Sequence, residues 1–491
     1  MNPNRRWTRF ALLLLLTGLG FAVMGYHPGL EDDGIYLAAV KADLNPALYP
    51  YNSLFFRLQV QATAFDGAIA NIVRATHIPL PCAELLLQFL SIFLVLWACH
   101  RIACKLFPQA HAQWAAVAMV SAMLTLPVAG TALYLMDQHL HPRNIAAALI
   151  LIAVDRVLEG RKLQAAALLV LAFLMHPIMA AMGISFCVFL GAALSEAVPV
   201  RLRALRSSTA AAVPLGWVLQ PANPLWKKAL ETRTYYFLYQ WTWYEWLGAL
   251  VPLALFWVLW RYARQRNQTV LARFACAVFA YGVFQQALAI VMLTPPECIR
   301  LTPLQPMRYL QLVYFFMLLV AGGLLGRYLL RGRVWLWLLF LLAANGGMLW
   351  SQCAEYSASP HIEWPDRPAA NPWLQAFAWI RSNTPVDAYF AIDPYYLRSP
   401  GEDYHGFRAL AERSQLADAV KDASVVTLVP ELAESWNRQI TAEQGWQHFG
   451  RADFERLQQR FGVDWVLVAR AQTGGLDCRW HNQLLAVCRI P

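Results

Sequence analysis

Charge is scarce in this 491-residue chain. Asp, Glu, Lys and Arg make up 14% of it, where soluble domains carry about a quarter. With 58% apolar residues and a mean hydropathy of +0.39, that shortage excludes an ordinary water-soluble enzyme and a disordered chain alike. The chain also lacks a P-loop, a G-x-G-x-x-G turn and a G-x-S-x-G elbow, so no nucleotide cofactor is expected. None of its nine cysteines stands in C-x-x-C spacing, which removes the common zinc and dithiol motifs. There is no solenoid repeat and no low-complexity tract.

What the chain does have is long apolar runs, such as Ala11–Gly20, Leu85–Ala98 and Tyr309–Gly326, separated by short basic clusters. The clusters are Arg5/Arg6/Arg9, Arg101/Lys105, Arg156/Arg161/Lys162, Arg201/Arg203/Arg206, Arg261/Arg264/Arg266 and Arg327/Arg331/Arg333. Cations confined to such clusters fix orientation in a membrane rather than form a phosphate-binding face, so no nucleic-acid partner is expected. Placing every cluster in the cytoplasm predicts eleven crossings near 9–25, 80–104, 112–131, 144–158, 163–177, 178–195, 208–219, 245–260, 268–293, 308–326 and 333–350. The N-terminus is then cytoplasmic and the C-terminus outside. The first run also has the basic and apolar regions of a signal peptide, without a following A-x-A site. The 208–219 stretch is short and holds Pro214, so it is also a candidate re-entrant segment.

The expected fold class is an all-α polytopic membrane domain over residues 1–350, followed by a linker at 351–371 and a small extracytoplasmic α/β domain at 372–491. The first 350 residues hold 27 basic and 13 acidic side chains, the remainder 13 and 17, which fits a change of compartment. A long outer loop, 26–79, carries helical patterns at 34–41 and 54–76. The second of these is amphipathic and suited to lying along a membrane surface. In the tail, helices are expected at 372–382, 431–444 and 452–461, and strands at 389–392, 465–469 and 484–489. Cys478 and Cys488 flank a hairpin, where a disulfide and two free thiols are both compatible with the sequence.

Three adjacent acids, Glu31, Asp32 and Asp33, follow the first run. Neighbouring carboxylates repel one another, and a metal ion, a cationic group or plain hydration holds them together. They equally suit the first turn of a helix over 35–41, where the dipole favours acids. The second outer loop, Met136-Asp137-Gln138-His139-Leu140-His141-Pro142-Arg143, is richer in ionisable groups than a turn requires. Asp137 is a candidate second acid, with His139 or His141 as a metal ligand or proton carrier. His176, before Pro177, is a further candidate. Outer-side cations able to grip a phosphate are Arg143, Lys227, Lys228, Arg233, Arg300 and Arg308. Each is equally suited to being an interfacial cation. The aromatics at 220–246 line a groove or form an interfacial belt.

Acids directly after the first span, a long outer loop of amphipathic helices, about eleven spans and an outer tail domain together resemble the GT-C superfamily of integral membrane glycosyltransferases. Tyr49-Pro50, Gly406-Phe407-Arg408 and Phe461-Gly462-Val463-Asp464 also look like segments of bacterial proteins of this layout. The resemblance implies a bacterial inner-membrane enzyme with a periplasmic tail domain. It would transfer a sugar from a polyprenyl-phosphate-linked donor to an extracytoplasmic acceptor. It implies Asp32 and Asp33 as the catalytic or metal-holding pair, assisted by Asp137. Asp33 would be the ligand of a divalent ion, Mg²⁺ or Mn²⁺. Arg143, Arg308, Arg300, Lys228, His139, His141 and His176 remain as substrate-binding candidates. The rival readings are a polytopic transporter or flippase, and an inactive scaffold of the same layout. Gln285, Gln286 and Glu84 are the clear polar positions within spans, a poor set for ion coupling.

Overall fold

The computed structural model describes residues 3–195, 221–365 and 367–491. Among the described residues, seven helices are long and apolar enough to cross a membrane: Arg6–Met24, Leu80–Leu106, Pro177–Leu194, Trp243–Gln265, Thr269–Leu293, Pro306–Leu330 and Val334–Glu355. Each matches one of the eleven expected crossings.

Three other expected crossings are shorter helices. Ala110–Ala122 ends well before 131, because the chain turns there into a hairpin of β1 (Pro127–Val128) and β2 (Leu133–Tyr134). Pro142–Leu158 has 17 residues and Lys162–Met175 has 14, below the roughly 20 that a perpendicular helix needs. The expected crossing at 208–219 and the cluster Arg201, Arg203 and Arg206 lie outside the described residues. Small residues bring the inner helices close. A Cβ at Gly322 would sit 2.5 Å from the Ala115 carbonyl oxygen, and one at Gly323 would sit 2.1 Å from the Phe107 ring.

The first loop folds as three helices, Asp33–Leu44, Leu54–Val60 and Phe65–Thr76. The single helix expected over 54–76 is broken at 61–64. There the Thr63 hydroxyl donates to the Val60 carbonyl, and the Ala64 N–H donates to the Leu174 carbonyl instead of a helical partner.

The tail holds a five-stranded sheet in the order β4 (Ser414–Gln415), β3 (Tyr389–Ile392), β5 (Trp465–Ala469), β7 (Leu485–Arg489), β6 (Asp477–His481). β3 pairs in parallel with β4 and β5, and the other pairs are antiparallel. β3 is buried on both faces, which explains its run of apolar residues. Phe390 and Ile392 pack with Trp373 and Phe377 of helix Pro372–Asn383 on one side. Tyr389 and Ala391 pack with Phe454 and Leu457 of helix Arg451–Phe461 on the other. Cys478 and Cys488 oppose each other on β6 and β7 and are disulfide-bonded. β6 and β7 form the hairpin expected between the two cysteines, whereas the helices Phe407–Ala411 and Lys421–Leu428 were not expected from the sequence.

The tail docks on the first loop. Lys41 Nζ donates to the Ala409 carbonyl and to Glu412, both at 2.7 Å. Tyr49 donates to the Arg408 carbonyl at 2.8 Å, and Tyr51 stacks on Tyr389 with ring centroids 4.7 Å apart. Gly34 and Gly406 meet backbone to backbone, so a Cβ on Gly406 would lie 2.5 Å from the Gly34 Cα. One apolar cluster runs through the contact, from Ile35, Phe55 and Phe65 to Val425 and Trp436.

Candidate functional site

The first loop, the hairpin of β1 and β2, the second outer loop and the tail helix Lys421–Leu428 together enclose a cavity of about 1010 Å³. Its lining includes Glu31, Asp32, Asp137, His139, His141, Arg143, His176 and Arg308. Seven of the ten catalytic and substrate-binding candidates, all of these but Glu31, therefore share one chamber, although they come from four separate stretches of chain.

Asp32 is more accessible than Asp137, with a side chain 31% exposed against 7%. Lys421 Nζ lies 2.9 Å from its Oδ1 and also contacts Glu31. His141 Nε2 lies 3.9 Å from its Oδ2. Burial pushes the Asp32 carboxyl up, but the Lys421 ammonium, with the Arg143 guanidinium, outweighs it and holds the group well below the usual carboxylate range. Asp32 is therefore an anion throughout the physiological pH range.

Asp33 faces the other way. Successive helical residues point about 100° apart, so with Asp32 turned to the cavity Asp33 is turned inward, beside Glu84. It lies outside the cavity lining, fully enclosed, and its Oδ2 accepts the Gly29 N–H at 2.6 Å. Burial raises its carboxyl to about 7. The structure does not bring Asp33 into the chamber beside Asp32: its carboxylate closes the turn that leads into its helix. Lys228 and Arg300 are outside the chamber too. Lys228 donates to Asn437 at 2.8 Å and Arg300 to the Pro221 carbonyl at 2.9 Å.

Asp137 is held bidentately by Arg143, at 2.6 and 3.1 Å. Its loop is stapled by Asn144, whose Nδ2 donates to the Asp137 and His139 carbonyls at 3.1 Å, and by Gln88, which donates to the Asp137 carbonyl at 2.8 Å. The pair leaves Arg143 Nη1 buried without an acceptor.

Two histidines are fixed by capping helices. His141 Nδ1 accepts the Arg143 N–H at 3.0 Å, and His176 Nδ1 accepts the Met179 N–H at 3.4 Å. An Nδ1 that accepts places the proton of a neutral ring on Nε2. The rings thus present Nε2–H donors, with centroids 6.3 Å apart. Burial holds His141 well below its usual value, and it lowers His139 to about 4, so both are neutral. His139 has no hydrogen-bond partner at either nitrogen.

Arg308 is buried, has no carboxylate partner among the described residues, and leaves its Nε without an acceptor. Buried donors normally find partners. Here three of them, His141 Nε2, Arg143 Nη1 and Arg308 Nε, have none, and their residues line one cavity. That arrangement suits an anion with several acceptor oxygens. Lys421, Arg398 and Tyr404 of the tail also line the chamber, as does Arg233, which is anchored to the Val420 carbonyl. Lys421 was missed in the sequence because nothing local marks it. Its position depends on Asp418 and Asp422, which cap the turn before its helix, and on the Arg408–Asp422 pair at 2.7 Å.

No protein-family model matches the chain, and no curated protein matches it. Among its structural neighbours are archaeal oligosaccharyltransferases. The apo enzyme of Archaeoglobus fulgidus is similar with a TM-score of 0.49 and 11% identity, over 96% of this chain and 70% of that one. AglB of the same organism, in complex with an inhibitory peptide and a dolichol-phosphate, gives 0.48 and 13% over 95% and 70%. A complex of the A. fulgidus enzyme with Zn and sulfate gives 0.38 and 12% over 93% and 68%. With TM-scores below 0.5, these likenesses carry no weight for the chemistry of the site.

Proposed function

We propose that this protein is a GT-C-type membrane glycosyltransferase that moves a sugar from a polyprenyl-phosphate-linked donor to an extracytoplasmic acceptor. The observation that carries the reading is the set of buried, acceptor-less donors, Arg308, Arg143 and His141, in the same chamber as the ionised Asp32. A phosphate supplies the missing acceptors, and Asp32 supplies the negative charge that an attacking hydroxyl needs nearby. One side of the chamber, lined by Pro127, Val128, Ala129, Gly130, Ala132, Ile178 and Tyr244, is apolar enough to receive the first units of a prenyl chain. The tail's disulfide suits an oxidising compartment outside the cytoplasm.

In this reading the acceptor oxygen attacks the anomeric carbon as the bond from that carbon to the phosphate oxygen breaks. The acceptor proton passes to Asp32 or through it to water. The phosphate leaves with its charge met by Arg308 and Arg143 and by the Nε2–H groups of His141 and His176. Lys421 keeps Asp32 ionised and oriented.

His139 is buried with both nitrogens unpartnered; a divalent ion bound in the chamber would be held by His139 and Asp32, and would offset negative charge on the departing phosphate. Asp33 lies outside the chamber lining. The test is Asp32→Asn in cells or membranes, with abundance held equal: transfer of sugar to glycan or glycolipid is lost. Unchanged transfer, or solute flux without covalent product in liposomes, overturns the reading.

A further inference from the structure

A second cluster of metal-ligating groups lies behind the chamber wall, outside the machinery above. His27 stands just past the end of the first membrane-length helix, Glu363 in the linker after the last, and His405 in the tail domain. Glu363 Oε1 is 2.7 Å from His27 Nδ1 and 2.9 Å from His405 Nε2. One ligand atom from each of the three lies within 4.8 Å of the others. Both imidazoles are fully buried, and Glu363 is 13% exposed.

The hydrogen-bond directions at His405 leave its Nε2 facing Glu363 with either a proton or a metal ion between them. His405 Nδ1 lies 3.1 Å from the Glu402 carbonyl, which can only accept. A neutral His405 therefore carries its proton on Nδ1 and turns an Nε2 lone pair toward a carboxylate oxygen, which also only accepts. His27 Nδ1 meets that same oxygen, and its Nε2 is buried with no partner. Beside His405, the Glu402 carboxylate is fully buried and makes no well-formed hydrogen bond. A proton on His405 Nε2 would satisfy its contact with Glu363, and so would a divalent cation held by both imidazoles and the carboxylate. The Glu402 carbonyl also plays the part that outer groups play at metal sites, fixing which nitrogen of a ligating histidine faces inward.

We propose that His27, Glu363 and His405 form a zinc-class divalent metal site that clasps the tail domain to the exits of the first and last spans. Two imidazoles and one carboxylate are a common ligand set for zinc, with a fourth position left for water. Tetrahedral bonds of about 2.0–2.1 Å set ligand atoms roughly 3.3 Å apart, so the two His–Glu363 contacts, at 2.7 and 2.9 Å, would open by about half an ångström to admit the ion. The backbone is already committed to the contact. Tyr26 pairs with Ile362 and Leu30 with His405 as isolated bridges, and Tyr356 packs on the His27 ring at 4.8 Å. Tyr404, the neighbour of His405, lines the chamber, so the ion would hold the wall that carries the tail's share of the site.

The test uses the full chain in detergent, carrying Asp32→Asn and His139→Ala to remove any ion from the chamber. After chelator treatment, zinc alone is titrated back and counted by metal analysis, with cobalt as an optical probe. The proposal expects one zinc per chain, a tetrahedral cobalt spectrum, and loss of both in His405→Gln or Glu363→Gln. Should those variants fail to fold, X-ray absorption of the zinc-loaded parent decides: a shell of nitrogen and oxygen only, with two imidazoles, is expected. No zinc taken up at micromolar concentration, unchanged stoichiometry in folded His405→Gln, or a sulfur-containing shell overturns the site.

Discussion

Lys421 of the tail domain sits over Asp32 of the first loop, its Nζ 2.9 Å from the carboxylate and equally engaged with Glu31. One side chain thus joins a residue near position 32 to a domain that begins more than 300 residues later. It also makes the tail part of the chamber rather than an appendage. Lys421→Met is expected to cut sugar transfer by about 100-fold, the scale of losing one electrostatic contact at a reacting centre. Lys421→Arg is expected to restore part of it. Transfer rates at matched membrane abundance check this, and a full-rate Lys421→Met would remove the tail from the chemistry.

The two adjacent aspartates should behave differently. Asp32→Asn is expected to abolish transfer while leaving the protein at normal abundance. Asp33→Ala is expected to lower thermal stability instead, because the buried Gly29 N–H loses its acceptor, a cost of about 1–3 kcal/mol. Melting curves and transfer assays on both variants separate the roles.

Arg308 offers a planar fork that a point charge cannot copy. Arg308→Lys is expected to raise the KM for the lipid-linked donor about tenfold or more, the worth of a charge-assisted hydrogen bond, with a smaller change in kcat. An equal loss in kcat and none in KM would assign Arg308 to the transition state alone.

Docking of the tail depends on a contact with no room in it. Gly406→Ala is expected to open the interface, since the new Cβ would lie 2.5 Å from the Gly34 Cα. Faster proteolysis between the membrane helices and the tail is the readout, and unchanged digestion would contradict the packing.

Acid should act late on the same interface. The folded-state carboxyl of Asp32 lies below its unfolded value of about 3.9. Its pairing with Lys421 therefore contributes fully above that unfolded value and is lost as pH falls through the folded one. Spin-label distances between tail and first loop are expected to stay constant from pH 7 to about 5 and to lengthen only below about 4. In Asp32→Asn this acid step is expected to be missing.

Much of the membrane domain was readable because apolar length and basic loop clusters are local signals. All seven membrane-length helices fall where the runs placed them. The helix at 110–122 misled because its Ala-rich stretch flows without a polar break into the Leu-Pro-Val of the hairpin, so hydropathy could not mark where it ends. In the tail, Trp465–Ala469 was legible from its β-branched run. Asp477–His481 was less so, being an edge strand with no β-branched residue, although its Asp-Cys-Arg-Trp-His alternates polar and apolar. Of the site, Asp32, Asp137, His139, His141 and Arg308 were visible as polar residues where apolar spans end. The split between Asp32 and Asp33 needed the helix phase. Lys421, His27, Glu363 and His405 needed the tertiary fold, since their partners lie 42 to 390 residues away.

The central claim is that the chamber binds a prenyl phosphate, and photo-crosslinking tests it most directly. A polyprenyl phosphate carrying a photoreactive group is bound to the purified protein, irradiated, and the labelled peptides are identified. The account predicts labelling within residues 127–143 and 176–178, competed by unlabelled polyprenyl phosphate and lost in Arg308→Ala. Labelling confined to the outer faces of the membrane helices, or undiminished in Arg308→Ala, would contradict it.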